Sequence, residues 1–163
     1  MENPKFAPLR NITIFSAVSE QALEIIHSDT HEVTVGPGDY FFQQGDQGKY
    51  MYVLKTGHVR VHLSWIDRSV QIGRIGPGGC FGEIALIDNS PRSASVQADT
   101  VCTAIAISNH DLAKLKRLAL EQYVIVQENI ALELCKRLRM ADANRMMMAE
   151  SRAALVDIEL PWP

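Results

Sequence analysis

A mainly β fold, a jelly-roll-like β-barrel with flanking helices, is predicted by three observations. Between His31 and Ile107 turn signals recur roughly every 9 to 11 residues, at Gly36-Pro37-Gly38, Gly45-Asp46, Thr56-Gly57, Asp67-Arg68, Gly76-Pro77-Gly78-Gly79 and Asn89-Ser90-Pro91. That rhythm belongs to all-β sandwiches and barrels. Between the turns apolar and polar residues alternate, the period of a half-buried strand. On both sides of this region the period lengthens to three and four, as in amphipathic helices.

Taken in order, Met1–Arg10, with Pro4 and Pro8, is expected to be a loose leader. A helical element covers residues 12–30. Ser19 is placed to cap it, because its hydroxyl can accept from an unpaired N–H of the first turn. Ala22, Leu23, Ile25 and Ile26 follow at helical spacing, and Ile14, Phe15 and Val18 are expected to pack on the next layer. The barrel spans residues 31–107. Within it Val59, Val61, Leu63 and Trp65 face one way, and His58, Arg60, His62 and Ser64 the other. Ala94–Val96 and Val101–Ile107 supply further strands, to eight short strands in all.

After Ser108 the pattern is helical over residues 109–150. Ser108-Asn109-His110-Asp111 offers a cap ahead of Leu112, Leu115 and Leu118. A long helix follows from about Glu121 through Met148. Ile130, Leu134, Leu138, Ala141, Arg145 and Met148 recur at three- and four-residue steps, an apolar stripe with one basic break. Such a stripe either packs on the chain's own barrel or pairs with a second copy, and the pairing is the expectation here. The tail, residues 151–163, ends in Leu160-Pro161-Trp162-Pro163, where the prolines stop any helix and Trp162 can anchor the segment on the surface.

Composition narrows the function classes. The chain has 163 residues, suited to one domain, and 47% of them are hydrophobic. A net charge of −3 lacks the basic excess of a nucleic-acid binder. No apolar run approaches the ~18 residues of a spanning helix, and the start has no signal-peptide core. Cys80, Cys102 and Cys135 are few and far apart, which suggests neither a zinc site nor a disulfide framework, but reduced thiols in a cytoplasmic protein. His58 and His62 share a strand face but stand ~13 Å apart, too far for one ion without other ligands. No metal is expected.

The stretch Phe81–Val96, FGEIALIDNSPRSASV, carries the chemistry. Gly82 has no Cβ, so an anion can approach its backbone closely. Glu83–Leu86 are good helix formers, and a short helix beginning there points free N–H groups at an anion. Arg92 offers a planar fork for two phosphate oxygens, and Ser93 adds a neutral hydroxyl. Glu83 is an acceptor suited to a sugar hydroxyl, and in an empty site it can pair with Arg92 and hold it ready. Together these fit a small ligand with one phosphate and one sugar.

This segment resembles the phosphate-binding cassette of the cyclic-nucleotide-binding domain family, which includes bacterial catabolite activators, cAMP-dependent kinase regulatory subunits and cyclic-nucleotide-gated channels. The family's F-G-E-[LI]-A-L, a short loop and P-R-[AST]-A-[ST]-V are matched almost without gaps. Phe42-Gln43-Gln44-Gly45-Asp46, Met51-Tyr52-Val53-Leu54 and Gly57-His58-Val59 match a second signature upstream. The resemblance covers roughly Ile12–Met148. It implies that Arg92 holds a cyclic phosphate, that Glu83 takes the ribose 2′-hydroxyl, and that Gly82, Ile84 and Ala85 contribute backbone, with Ser93 and Ala94 beside the phosphate. Ser93 after the arginine, as in the cAMP-binding bacterial activators, favours cAMP, and its hydroxyl can also assist a guanine, so cGMP stays open. Asp142 or Asn144 is expected near the adenine; Ala141 stands where the bacterial activators carry a hydroxyl.

The resemblance further implies a non-catalytic sensor that repositions its C-terminal helix on binding, forms a homodimer through that helix and signals to a protein partner still to be identified. Too few residues follow Met148 for a helix-turn-helix module, so direct DNA binding is not expected; nor, without a spanning apolar run, is membrane insertion. The alternatives are a degenerate dimerisation module and part of a cAMP-responsive transcription regulator. A metal-dependent enzyme on a jelly-roll scaffold would need a convergent His/Glu set, which the sequence lacks.

Overall fold

A computed structural model describes residues 9, 12–28 and 30–156, with backbone alone over 151–156. The expected leader, apart from Leu9, and the Trp162 anchor lie outside the described residues. The chain divides into two compact units between Asn129 and Ile130.

The first unit holds eight strands: β1 (His31–Val35), β2 (Tyr40–Phe42), β3 (Tyr50–Thr56), β4 (Val59–Trp65), β5 (Arg68–Ile75), β6 (Cys80–Phe81), β7 (Ser95–Ala98) and β8 (Cys102–Ser108). They form two antiparallel sheets, ordered β1-β8-β3-β6 and β2-β7-β4-β5. The expected barrel is therefore an open pair of sheets, each hydrogen-bonded within itself and not closed into a ring. Leu54, Phe81, Cys102 and Ala104 from one inner face meet Val59, Val96 and Ala98 from the other. Each large apolar side chain fully buried there contributes about 1.5–3 kcal/mol.

The strand alternation holds for Val59, which is buried, and fails at the far end of β4. Trp65 is 76% and Leu63 40% exposed. The β4–β5 register slips between Val61 and His62, and beyond His62 β4 pairs with β5 alone, Leu63 with Val70 and Trp65 with Arg68, on an edge strand of the sheet. The turn at its tip comes one residue early, with Ile66 at φ 51°.

Helices flank the sheets. A 3-10 turn, Thr13–Phe15, precedes α1 (Glu20–His27), and the Ser19 hydroxyl accepts from the Ala22 N–H at 3.3 Å. At α3 (Asn109–Leu118) the expected cap is a full capping box, in which Ser108 and Asp111 each satisfy the other's backbone N–H. The long helix α4 runs Leu120–Val156. Its first turns join the first unit through Asn129, whose side-chain amide donates to the carbonyls of Ile14 (3.1 Å) and Ser16 (2.8 Å). In the second unit Leu138, Met140 and Met146–Met148 are exposed. Among the described residues no helix is long and apolar enough to cross a membrane, and no group of three His, Cys, Asp or Glu could hold a metal ion.

Candidate ligand-binding site

Between β6 and β7 the chain makes one short helix, α2 (Glu83–Asp88), and returns through Pro91 and Arg92. Gly82 enters α2 at φ +81°, a left-handed conformation that glycine adopts without penalty. Space demands glycine there as well. A Cβ on Gly82 would stand 2.6 Å from Arg92 Nη1 and 3.2 Å from the Phe42 ring. The helix stops at Asn89, also left-handed, and Ser90 N–H and Oγ–H close the turn on the Asp88 carboxylate at 2.9 and 2.6 Å. Those bonds, the side-chain one first, hold the Asp88 carboxyl below its ordinary value.

The Arg92 backbone is clipped from both sides. Its N–H donates to the Asp46 carbonyl at 2.8 Å, and its own carbonyl accepts from the Gly45 N–H at 2.9 Å. The Gly45-Asp46 turn is itself pinned, by Asp46 Oδ2 accepting from the Gln43 N–H. A segment about 46 residues upstream thus fixes where Arg92 begins.

The Arg92 side chain is 4% exposed and Glu83 2% exposed. Arg92 Nη1 donates to the Gly82 carbonyl at 2.8 Å and Nη2 to the Tyr50 carbonyl at 2.6 Å. Its Cζ lies 3.9 Å from the centre of the Phe42 ring. Nε is buried and has no hydrogen-bond acceptor among the described residues. Both hydrogen bonds go to carbonyls, and the Glu83 charge lies close enough to act on the guanidinium. Burial lowers the guanidinium pKa, while the Tyr52 phenol, Asp46 and Glu83 oppose that shift. Burial also raises the Tyr52 pKa, and the Arg92 charge opposes it.

The structure brings Gly82, Glu83, Ala85 and Arg92 into one cluster. Ile84 is 39% exposed, Ser93 is exposed and Ala94 half-buried just before β7. Asp142 and Asn144 lie on α4 in the second unit, both exposed, and Asp142 pairs with Arg145 at 3.7 Å. Several site residues were not singled out by sequence reasoning. Phe42 and Tyr52 lie inside a recognised signature without a role; Tyr50 contributes its carbonyl. Gly48 leaves room for the cluster, since a Cβ there would meet Ala85 Cβ at 2.3 Å and Arg92 Nη1 at 3.3 Å. The only signal for Gly48 was its place after the Gly45-Asp46 turn.

Leu86, Ile87 and Asn89 at the end of α2 line a groove of about 320 Å³ whose other wall is α3 and Tyr123 of α4. One short helix therefore borders both the arginine cluster and the helical layer.

A cyclic nucleotide-binding domain model matches residues 32–117, more than half of the chain. The cAMP-dependent protein kinase regulatory subunit of Eremothecium gossypii is 35% identical over 94 residues, which cover 58% of this chain and 20% of that protein. The cyclic AMP receptor protein of Thermus thermophilus is 32% identical over 138 residues, 82% of this chain and 61% of that protein. The chain thus spans less than two thirds of either relative. A cyclic nucleotide-binding domain from Methylobacillus flagellatus superposes with a TM-score of 0.79 at 21% identity, covering 86% of this chain and 83% of that one, and so shares the fold.

Proposed function

This chain belongs to the cyclic nucleotide-binding domain family, and from that premise we propose that it is a non-catalytic regulatory module that binds cAMP in preference to cGMP. One observation carries the proposal: a buried guanidinium, oriented by carbonyls, whose Nε–H has no acceptor in the pocket. A buried cation that lacks a full hydrogen-bond complement favours an anionic partner. A cyclic phosphodiester carries one negative charge and supplies acceptor oxygens.

In this proposal Arg92 grips the phosphate, and Glu83 accepts from the ribose 2′-hydroxyl. Gly82, Ile84 and Ala85 present backbone groups, and Ser93 and Ala94 flank the phosphate. Preference for cAMP follows Ser93, with Asp142 or Asn144 accepting from the adenine amino group. Signalling then requires the nucleotide to bind one helix arrangement more tightly than another, because equal affinity shifts no population. Support for such a route comes from α2, which borders the groove against α3 and Tyr123. Homodimerisation through α4 is part of the proposal and is favoured by the exposed Leu138 and Met148, at 60% and 71%.

The test is calorimetric titration of the purified protein with cAMP and with cGMP, alongside mass spectrometry of any co-purified nucleotide. Tighter binding of cAMP is expected. Absence of binding to both, with a folded protein that sediments as a dimer, would instead favour the dimerisation module.

A further inference from the structure

On the proposed role of Arg92 as the phosphate contact, we infer that Phe42 is the positioning residue that keeps its guanidinium aimed. The β2–β7 register slips between Tyr40 and Phe42. Tyr40 pairs with Gln97 and Phe42 with Val96, so two steps along β2 match one step along β7. That is a β-bulge, a device that re-aims side chains. On a regular strand Phe41 and Phe42 would point to opposite faces. Here both rings reach the same pair of aromatics. Phe41 stands 5.3 Å from Tyr52 and 5.0 Å from Phe81, and Phe42 6.0 and 6.1 Å from them.

The consequence falls on Arg92. The two carbonyls of Gly82 and Tyr50 hold the guanidinium within its own plane. They do not by themselves stop it from tipping out of that plane. The Phe42 ring, 3.9 Å beneath Cζ, covers one face and attracts the cation through its quadrupole. Nε–H, buried and without an acceptor among the described residues, is then the guanidinium donor still to be satisfied. An arriving anion meets a side chain already ordered, and does not have to immobilise one. An aliphatic residue would fill the same volume without that attraction. Its effect on affinity should be modest, roughly fivefold, the cost of ordering one long side chain on binding.

The probe is cAMP, titrated calorimetrically into the wild type, Phe42→Leu and Phe42→Tyr, with melting temperatures measured alongside. Phe42→Leu is expected to bind roughly fivefold more weakly, and Phe42→Tyr, which restores a ring, to bind within about twofold of wild type. Wild-type affinity in Phe42→Leu, or equal weakening in Phe42→Tyr, would overturn the inference. If Phe42→Leu does not fold, Phe42→Met takes its place as a ringless side chain that adapts to its surroundings. A second readout needs no nucleotide. In the ligand-free protein the Arg92 Cδ protons should be shifted upfield by the ring current, in the wild type and Phe42→Tyr but not in the ringless variant. Failure of the wild type to bind either cyclic nucleotide would sink the proposed function, while this shift would still decide whether Phe42 holds Arg92: its presence supports the inference and its absence from the wild type overturns it.

Discussion

Two arginine sites in the first unit illustrate how a partner's chemistry decides what a cation can do. Arg60 and Arg74, opposite each other on β4 and β5, share the Asp99 carboxylate at 3.2 and 2.8 Å. Their side chains are 37% and 55% exposed. There a full negative charge meets two partly exposed cations, and such pairs are worth about 0–1 kcal/mol. Arg92 is buried, and its hydrogen bonds go to two carbonyls and its face to a ring. Carbonyls and rings orient a guanidinium without cancelling its charge. The first arrangement is closed to an anion; the second is receptive to one.

The largest expected effect separates the two sites directly. Arg92→Ala should cost about 2–5 kcal/mol of cAMP affinity, some 30-fold or more, as truncating a buried charged partner does. Arg74→Ala should leave cAMP affinity unchanged and lower stability by less than about 1 kcal/mol in denaturant titration. Equal losses from both would erase the distinction.

Next comes the space around the receptive site. Gly82→Ala forces a non-glycine residue to φ +81° and drives a Cβ to 2.6 Å from Arg92 Nη1. A stability loss of about 1–3 kcal/mol is expected, together with weaker nucleotide binding. Gly48→Ala should act through packing, with the clash at Ala85 costing about 1–3 kcal/mol in chemical denaturation.

The smallest effect concerns pH. Burial raises the folded-state pKa of Tyr52 above the ordinary value of 10.0. A raised folded pKa favours the protonated fold, so the stability linked to Tyr52 is fully present below pH ~10 and declines as the pH rises through the folded value. The melting-temperature gap between wild type and Tyr52→Phe should therefore shift against the wild type between pH 8 and pH 11. An unchanging gap would mean that Tyr52 does not feel its buried surroundings.

Much of this was legible in the chain. Ser19 and Ser108 announced their helices because a capping hydroxyl acts within three residues. The stretch from Gly82 to Arg92 was legible because a tight turn, a short helix and a cation sit side by side in sequence. What escaped notice depends on register or on distant neighbours. Alternation put Leu63 and Trp65 on one face with Val59, but the pairing slips between Val61 and His62, and a one-residue slip exchanges the two faces. The bulge that brings Phe42 under Arg92 is a one-residue slip invisible to a period-two pattern. The need for Gly48 arises only when Ala85, 37 residues later, folds against it.

The clip on the Arg92 main chain has a use in engineering. Arg92 is located by Asp46 and Gly45, not by the length of the link that leads back from α2. Asn89 is exposed at the crest of that link. A foreign peptide spliced in between Asn89 and Ser90 would give up the two Ser90–Asp88 bonds that close the turn, while the clip on Arg92 keeps the residues after Pro91 in register, so a reporter could be displayed beside the pocket.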